Sequence, residues 1–422
     1  MKLKKRLLAM TLAATLAVGL SACGGSGSTA DPGSAGGGNS SGGKKTITLW
    51  HTLADSEQDT FSKYVDEFNA QSDDVQVEMV YMPQDEFLTQ VAVGNLSSEL
   101  GDILRVDNPD TIGFASSGVL ADITDYYNNW DEASYLEGPL ESATYDGKIY
   151  GVPSESNNIA LYYNKAMLEE AGVEVPTTWS ELSEAAKALT TDAVDGFAMS
   201  AIANEEATFQ FVPFIGSEGK TINEIGSEAG IDALTFINSM VQDGSMSVDC
   251  INWSQADIAK QFAAGNCAMM INGPWNVAVV KEDNPDLDFG VALIPKSENG
   301  DYATCLGGEN LCITANADTD AAWEFISWFC SKEVNERYTY DQGKFSPRSD
   351  ADNEAIYADD EIMLTFAENM QYAIARHDLS WTEMSKQIQT MLQETYTGAK
   401  TPEQAAKDCQ TKIDTILAEA EE

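Results

Sequence analysis

Three of the eight tryptophans stand where an indole face could be offered to a ligand. Trp275 follows Gly273-Pro274, a turn that places an indole at a strand end. Trp381 lies in a polar run, Asp378-Leu379-Ser380-Trp381-Thr382-Glu383, ahead of a helix. Trp50 closes a short β-rich run and is followed by His51 and Thr52. Planar polar groups accompany them: Asp107 and Asn108 follow another strand, and Gln84 and Asp85 a third. Flat aromatic faces with paired hydrogen-bonding groups equip a chain to hold a ligand rather than to transform it. No catalytic constellation competes with that reading. There is no GxSxG, no HExxH and no Cys/His nucleophile context, although 68 acids do not forbid a carboxylate pair. Two histidines exclude a multi-His metal centre, and no DxDxDG run supports calcium. No cofactor is expected.

The elements that must position these groups are legible in the periodicity. Thr46–Trp50 is β-rich, and Phe61, Tyr64, Val65 and Phe68 then fall on one helical face. Val75, Val77 and Met79 alternate as a strand, Phe87, Leu88 and Val91 suggest a helix, and Ile103, Leu104 and Val106 another strand. The order β-α-β-α-β predicts a parallel sheet flanked by helices, with ligands bound beyond the carboxyl ends of its strands. Thr178-Trp179-Ser180-Glu181 has capping-box spacing, and Thr401-Pro402-Glu403-Gln404 opens the last helix the same way. Trp179, Trp323 and Trp328 read as packing.

Composition narrows the class. The chain has 422 residues, 43% of them apolar, and a formal charge of −44 from 68 acidic against 24 basic residues. Such a balance repels nucleic acid and other polyanions. At the N-terminus, Lys2, Lys4, Lys5 and Arg6 precede an apolar run from Leu7 to Leu20, too short to span a bilayer. The run ends in Leu20-Ser21-Ala22-Cys23-Gly24, which resembles the lipobox of bacterial lipoproteins. That resemblance implies cleavage after Ala22 and lipidation of Cys23, where each buried methylene contributes about 0.8 kcal/mol to anchoring. Residues 24–43, nearly all Gly, Ser, Ala and Asn, read as a flexible tether. Of the six later cysteines none forms CxxC, and they read as buried small hydrophobes, with disulfides left open.

From residue 44 to about 418 the chain resembles the extracellular solute-binding proteins, family 1, of carbohydrate ABC importers. The segments that carry this are Gly101–Leu104, Phe114–Thr124, Tyr145–Pro153 with Leu161–Lys165, and Gly398 through Ile413. The most specific are Phe262-Ala263-Ala264-Gly265 and Ile271-Asn272-Gly273-Pro274-Trp275. The resemblance implies an α/β, two-lobed periplasmic-binding-protein-like fold of type II with a hinge. Lobe 1 would combine 44–153 with 304–348, and lobe 2 would combine 154–303 with 349–422. It further implies a monomer that captures an oligosaccharide, maltodextrin-like by preference, and delivers it to ABC permease subunits. Another oligosaccharide, a polyol phosphoester, an extracellular glycoside-active enzyme and an adhesion or peptide-binding lipoprotein are the alternatives.

A pyranose has an apolar C–H face and a hydroxyl rim, which suits stacking indoles and planar polar partners. The resemblance places Trp275 as the stacking indole, and Asp107 and Asn108 where the family contacts sugar hydroxyls. Asn157 stands where a maltose-binding member has a ligand-binding Glu, and Glu206, near Phe209, at another carboxylate contact. The chain departs from that member at Val106, Pro109 and Asp110, where an aromatic and an Asp-Arg pair are found. Glu309, in Gly307-Gly308-Glu309-Asn310 read as a tight loop, accepts sugar hydroxyls or caps backbone. Arg348 makes a bidentate ligand contact or an ion pair between the lobes. Trp50, His51, Gln84 and Trp381 complete the expected site.

Overall fold

Val75 and Val77 are buried while Gln76 and Glu78 face solvent, as befits Val75–Tyr81, the edge strand of its sheet, of which one face is covered. Lys45–His51 pairs with it in parallel and, on its other side, with Ile103–Asp107, as the β-α-β-α-β pattern requires. Gly307–Ile313 runs antiparallel between Ile103–Asp107 and Gly151–Asn157 and completes five strands. The computed structural model describes residues 44–420 apart from Ala54, Ser98 and His377. The expected export signal, Cys23 and the tether lie outside the described residues. Among the described residues, no helix is long and apolar enough to cross a membrane.

Helices clothe both faces of this sheet. Asp55–Gln71, Thr319–Phe329 and Lys332–Asp341 bring Phe61, Phe68, Phe325, Phe329 and Tyr338 against Ile47, Ile103 and Leu311. On the other face, Gln84–Ser97 and Asn108–Ser116 pack Phe87, Val91 and Ala115 on Leu104, Val106 and Cys312.

The second lobe is built on a smaller antiparallel sheet, with Ala160–Asn164 between Met269–Asn272 and Phe289–Ala292. Its larger core gathers the helices Trp179–Leu189, Glu205–Ser217, Glu228–Asp243, Trp381–Tyr396 and Pro402–Ala420. The Thr178 capping box forms in full, satisfying two amides that the helix itself leaves open. Trp179 then stacks on Phe236 with centroids 4.8 Å apart, the packing role its sequence context predicts.

Between the sheets the chain passes straight from Asn157 to Ala160. The Thr304 hydroxyl spans this passage by donating to the Ile159 carbonyl at 2.7 Å. Asn369 Nδ2 donates to Asn158 Oδ1 and to the same carbonyl, both at 2.9 Å. Three segments distant in sequence are thus fastened at one point, the arrangement of a two-lobed fold with a hinge.

One sequence expectation is corrected here. Gly307–Asn310 is not a tight loop but the start of the strand Gly307–Ile313, with its register shift between Glu309 and Asn310. Gly308 has φ 145°, and a Cβ there would stand 2.3 Å from the Glu155 carbonyl oxygen, so only glycine admits so close a neighbouring strand. The six cysteines are all buried and unpaired, packed as small apolar groups.

Candidate functional site

Gly151–Asn157 is buried along its whole length although four of its seven residues are polar. Buried polar groups persist only with partners, and Glu155 has several. Its carboxylate accepts from Arg105 Nη2 at 2.8 Å, from Lys344 Nζ at 2.5 Å and from the Tyr338 hydroxyl at 2.7 Å. Lys344 also reaches Glu57 at 2.8 Å. Burial alone would raise the Glu155 carboxyl, but Arg105 and Lys344 outweigh it and hold the group well below the usual carboxylate range. Glu309 differs. Arg105 Nη2 lies 3.0 Å from its Oε2 without the alignment of a hydrogen bond, and burial with the Glu155 anion pushes its carboxyl well up.

This cluster forms one wall of a cavity of about 710 Å³ lying beyond the carboxyl ends of the strands Lys45–His51 and Ile103–Asp107. The volume falls in the range of small-molecule sites. Glu57, Arg105, Glu309 and Lys344 face it from the first lobe, with Phe87 and Leu88 supplying apolar surface.

A second charged group joins the lobes. Arg376, buried to 4% exposure, donates to Asp107 at 3.1 Å and to Glu205 at 2.6 Å, and its guanidinium lies 4.5 Å from the Phe209 ring centroid. Glu205 in turn accepts from Trp381 Nε1 at 2.9 Å and from the Ser385 hydroxyl at 2.5 Å. Nearby the Thr382 hydroxyl donates to Asp110 at 2.6 Å. Burial pushes the Asp110 carboxyl up to about 7, helped by the Asp107 and Glu205 anions and opposed by Thr382 and Arg376. The folded chain therefore keeps a proton that the unfolded chain releases near pH 3.8. Stability from this group is full below that pH and lost as pH rises through 7. Asp110→Asn should match the wild type at pH 4 and exceed it in thermal stability at pH 8. Equal melting temperatures at pH 8 would show that solvent relieves the burial.

The third part is aromatic and lies on the second lobe. Trp275 opens the helix Trp275–Asp283 directly after the strand Met269–Asn272. Its indole lies back over Gly273, where a Cβ would stand 2.1 Å from the ring, so this glycine seats the tryptophan. Phe209 is tilted 34° to it with centroids 6.3 Å apart. Glu206 Oε2 accepts the Gln255 backbone N–H at 2.6 Å, and burial raises its carboxyl against that bond.

Of the residues expected from sequence, Asp107, Asn157, Glu206, Trp275 and Glu309 line this cavity together. The others that are described lie elsewhere. Trp50 lies beside Gly94 and Gly101, because its place in the strand turns the indole to the sheet face that carries Phe87, Leu88 and Leu100. His51 is buried between Phe61 and Tyr81, and burial, aided by Arg105, lowers its pKa to about 4, so it is neutral; Thr52 and Leu53 reach the cavity in its stead. Asn108 is buried at the start of its helix. The Gln84 side chain lies outside the described residues, and its helix contributes Phe87 and Leu88. Trp381 stands behind Glu205 in the second-lobe core. Arg348 is away from the cavity. Its guanidinium is consumed by Asp350 at 2.8 Å and by the carbonyls of Cys330 and Glu132. Sequence reasoning missed Arg105, Glu205, Lys344 and Arg376; the one available signal was a basic residue inside an otherwise uncharged run, as in Leu104-Arg105-Val106 and Ala373-Ile374-Ala375-Arg376.

A family model described as bacterial extracellular solute-binding protein matches residues 63–365. The chain belongs to this family. The maltodextrin-binding protein MdxE of Bacillus subtilis is 26% identical, over 73% of this chain and 72% of its own. An ABC transporter solute-binding protein of Thermotoga lettingae, solved with α-D-tagatose, superposes with a TM-score of 0.81 at 26% identity, covering 89% of this chain and all of its own. The GacH receptor of Streptomyces glaucescens, solved unliganded and with acarbose, gives 0.78 at 25% identity, covering 89% and 99%. These neighbours are binding proteins, and this family member is a binding protein and not an enzyme.

Proposed function

We propose that this solute-binding protein is the lipid-anchored capture subunit of an ABC sugar importer, holding an oligosaccharide, maltodextrin-like by preference, in the cavity between its lobes. The observation that carries the reading is the meeting of Trp275 and Phe209 with the carboxyl groups of Asp107, Glu206 and Glu309 in one cavity. An indole and a phenyl ring accept the C–H face of a sugar, and carboxyl oxygens accept hydrogen bonds from its hydroxyls. The names of relatives that bind maltodextrin, maltotriose and galactooligosaccharide support the same class. A phosphoester fits less well. Arg105, Lys344 and Arg376 are each already engaged by carboxylates, so an entering anion would have to displace them.

The sequence suggests lobes of 44–153 with 304–348 and 154–303 with 349–422; we draw the first crossing after Asn157 instead, because Gly151–Asn157 pairs with the first-lobe strand as far as that residue. Closure of the two around sugar would present the protein, as a monomer, to permease subunits. Thermal-shift screening followed by calorimetry tests the ligand. Maltotriose or another neutral oligosaccharide should raise the melting temperature and be recovered intact, while glycerol 3-phosphate should not. A shift with the phosphoester alone would overturn the reading. For the anchor, Cys23→Ser should move the exported protein from the detergent to the aqueous phase of a Triton X-114 partition. Unchanged partition would remove the lipid from the proposal.

A further inference from the structure

Gln255 is held by its main chain and left free at its side chain. Its N–H is given to Glu206 at 2.6 Å. Its carbonyl accepts from Asn272 Nδ2 at 2.9 Å. Asn272 Oδ1 in turn accepts from the Gly273 N–H at 2.9 Å and from Asn276 Nδ2 at 2.6 Å. The turn that carries Trp275, the carboxylate of Glu206 and the backbone of Gln255 are therefore one hydrogen-bonded unit. Ser254 caps the helix Gln255–Ala263 with a reciprocal bond to Asp257, which fixes the direction in which Gln255 leaves the backbone.

The side-chain amide has no such partner. Gln255 is 7% exposed, it lines the cavity, and its Nε2 is buried without a hydrogen bond among the described residues. Buried amides in folded proteins are almost always paired, and one without a partner beside a binding cavity calls for a group from outside the chain. An amide offers a donor and an acceptor on one rigid plane, whereas the neighbouring Glu206 carboxylate only accepts. Only Oε2 of Glu206 is taken by the backbone.

We propose that Gln255 is a specificity-determining residue of the sugar site, pairing with Glu206 to read two neighbouring hydroxyls on the unit stacked against Trp275. One hydroxyl accepts from the Gln255 amide, and the next donates to the free oxygen of Glu206. A sugar lacking either hydroxyl leaves a buried polar group unpaired, the condition under which a site discriminates most sharply. This rests on the sugar reading above and adds to it which residue selects among sugars.

The test is calorimetric titration with maltotriose and its monodeoxy derivatives, using wild type, Gln255→Leu and the unbranched Gln255→Met. Gln255→Leu should weaken maltotriose binding about tenfold. One monodeoxy derivative should bind wild type about tenfold more weakly than maltotriose, yet bind both variants no more weakly than maltotriose does. That loss of discrimination at one hydroxyl is what a merely structural glutamine would not produce. Equal weakening for every derivative, or variants that bind maltotriose as wild type does, would overturn the role of Gln255 and leave the sugar reading standing. A wild type that binds no maltotriose removes the maltodextrin reading and this inference together.

Discussion

Replacing Glu155 by Gln will destabilise the fold by about 3–5 kcal/mol, the usual cost of taking one partner from a buried ion cluster. The carboxylate is fully buried and holds Arg105, Lys344 and the Tyr338 hydroxyl at once. Both cations are almost wholly enclosed, Arg105 at 2% and Lys344 at 3% exposure, so each would be left short of a charged partner. Glu309→Gln on the same wall is the control. Its carboxyl is pushed up towards the neutral form and makes no aligned bond to Arg105, so an amide of the same shape should cost under about 1 kcal/mol. Urea unfolding of the two variants at pH 7 measures both. The difference should persist well into acid, because a depressed carboxyl gives up its stabilising charge only as pH falls through its lowered pKa. Equal effects of the two substitutions would sink this account of the cluster.

Trp275→Ala should weaken maltotriose binding by about 2–3 kcal/mol, roughly a 30- to 150-fold rise in Kd. The loss combines the stacked area with the aromatic contribution beyond area. The indole is only partly buried and opens its helix on the cavity side, so the second lobe should melt close to where wild type does. Calorimetry on the folded variant reads the effect directly. Unchanged affinity would mean that the indole is packing and that the sugar lies elsewhere.

Local patterns were readable in the sequence, and long-range convergence was not. Val75, Val77 and Met79 declared a strand because alternation is a property of the segment itself. The capping boxes of Thr178 and Ser254 show the contrast within one class of signal: the first was read, and the second, Ser254-Gln255-Ala256-Asp257, was not, since Asp at its fourth position is the less usual partner. Gly307–Asn310 misled because two glycines suggest a turn, whereas here they admit the Glu155 strand. Arg348 and Arg376 look alike in sequence. One is consumed by Asp350 and two backbone carbonyls away from the cavity, and the other reaches the cavity only because Ala373–Ile374 pairs with Thr304–Cys305, about seventy residues earlier. Trp50, Trp275 and Trp381 likewise differ in what the fold brings beside them, not in residue type. Glu205 and Glu206 both reach the site from the first turn of their helix, and only the second was anticipated.

The buried thiols have a practical consequence. Burial pushes Cys250, Cys330 and Cys409 up to about 12, and Cys267, Cys305 and Cys312 higher, so in the folded protein none of these is a nucleophile. They are distributed over all four hydrophobic clusters, three in each proposed lobe by sequence, with Cys305 packed into the second-lobe core. Each is a silent clock for its own layer. Under a pulse of alkylating reagent in mild denaturant, the order in which the six become modified records which lobe comes apart first.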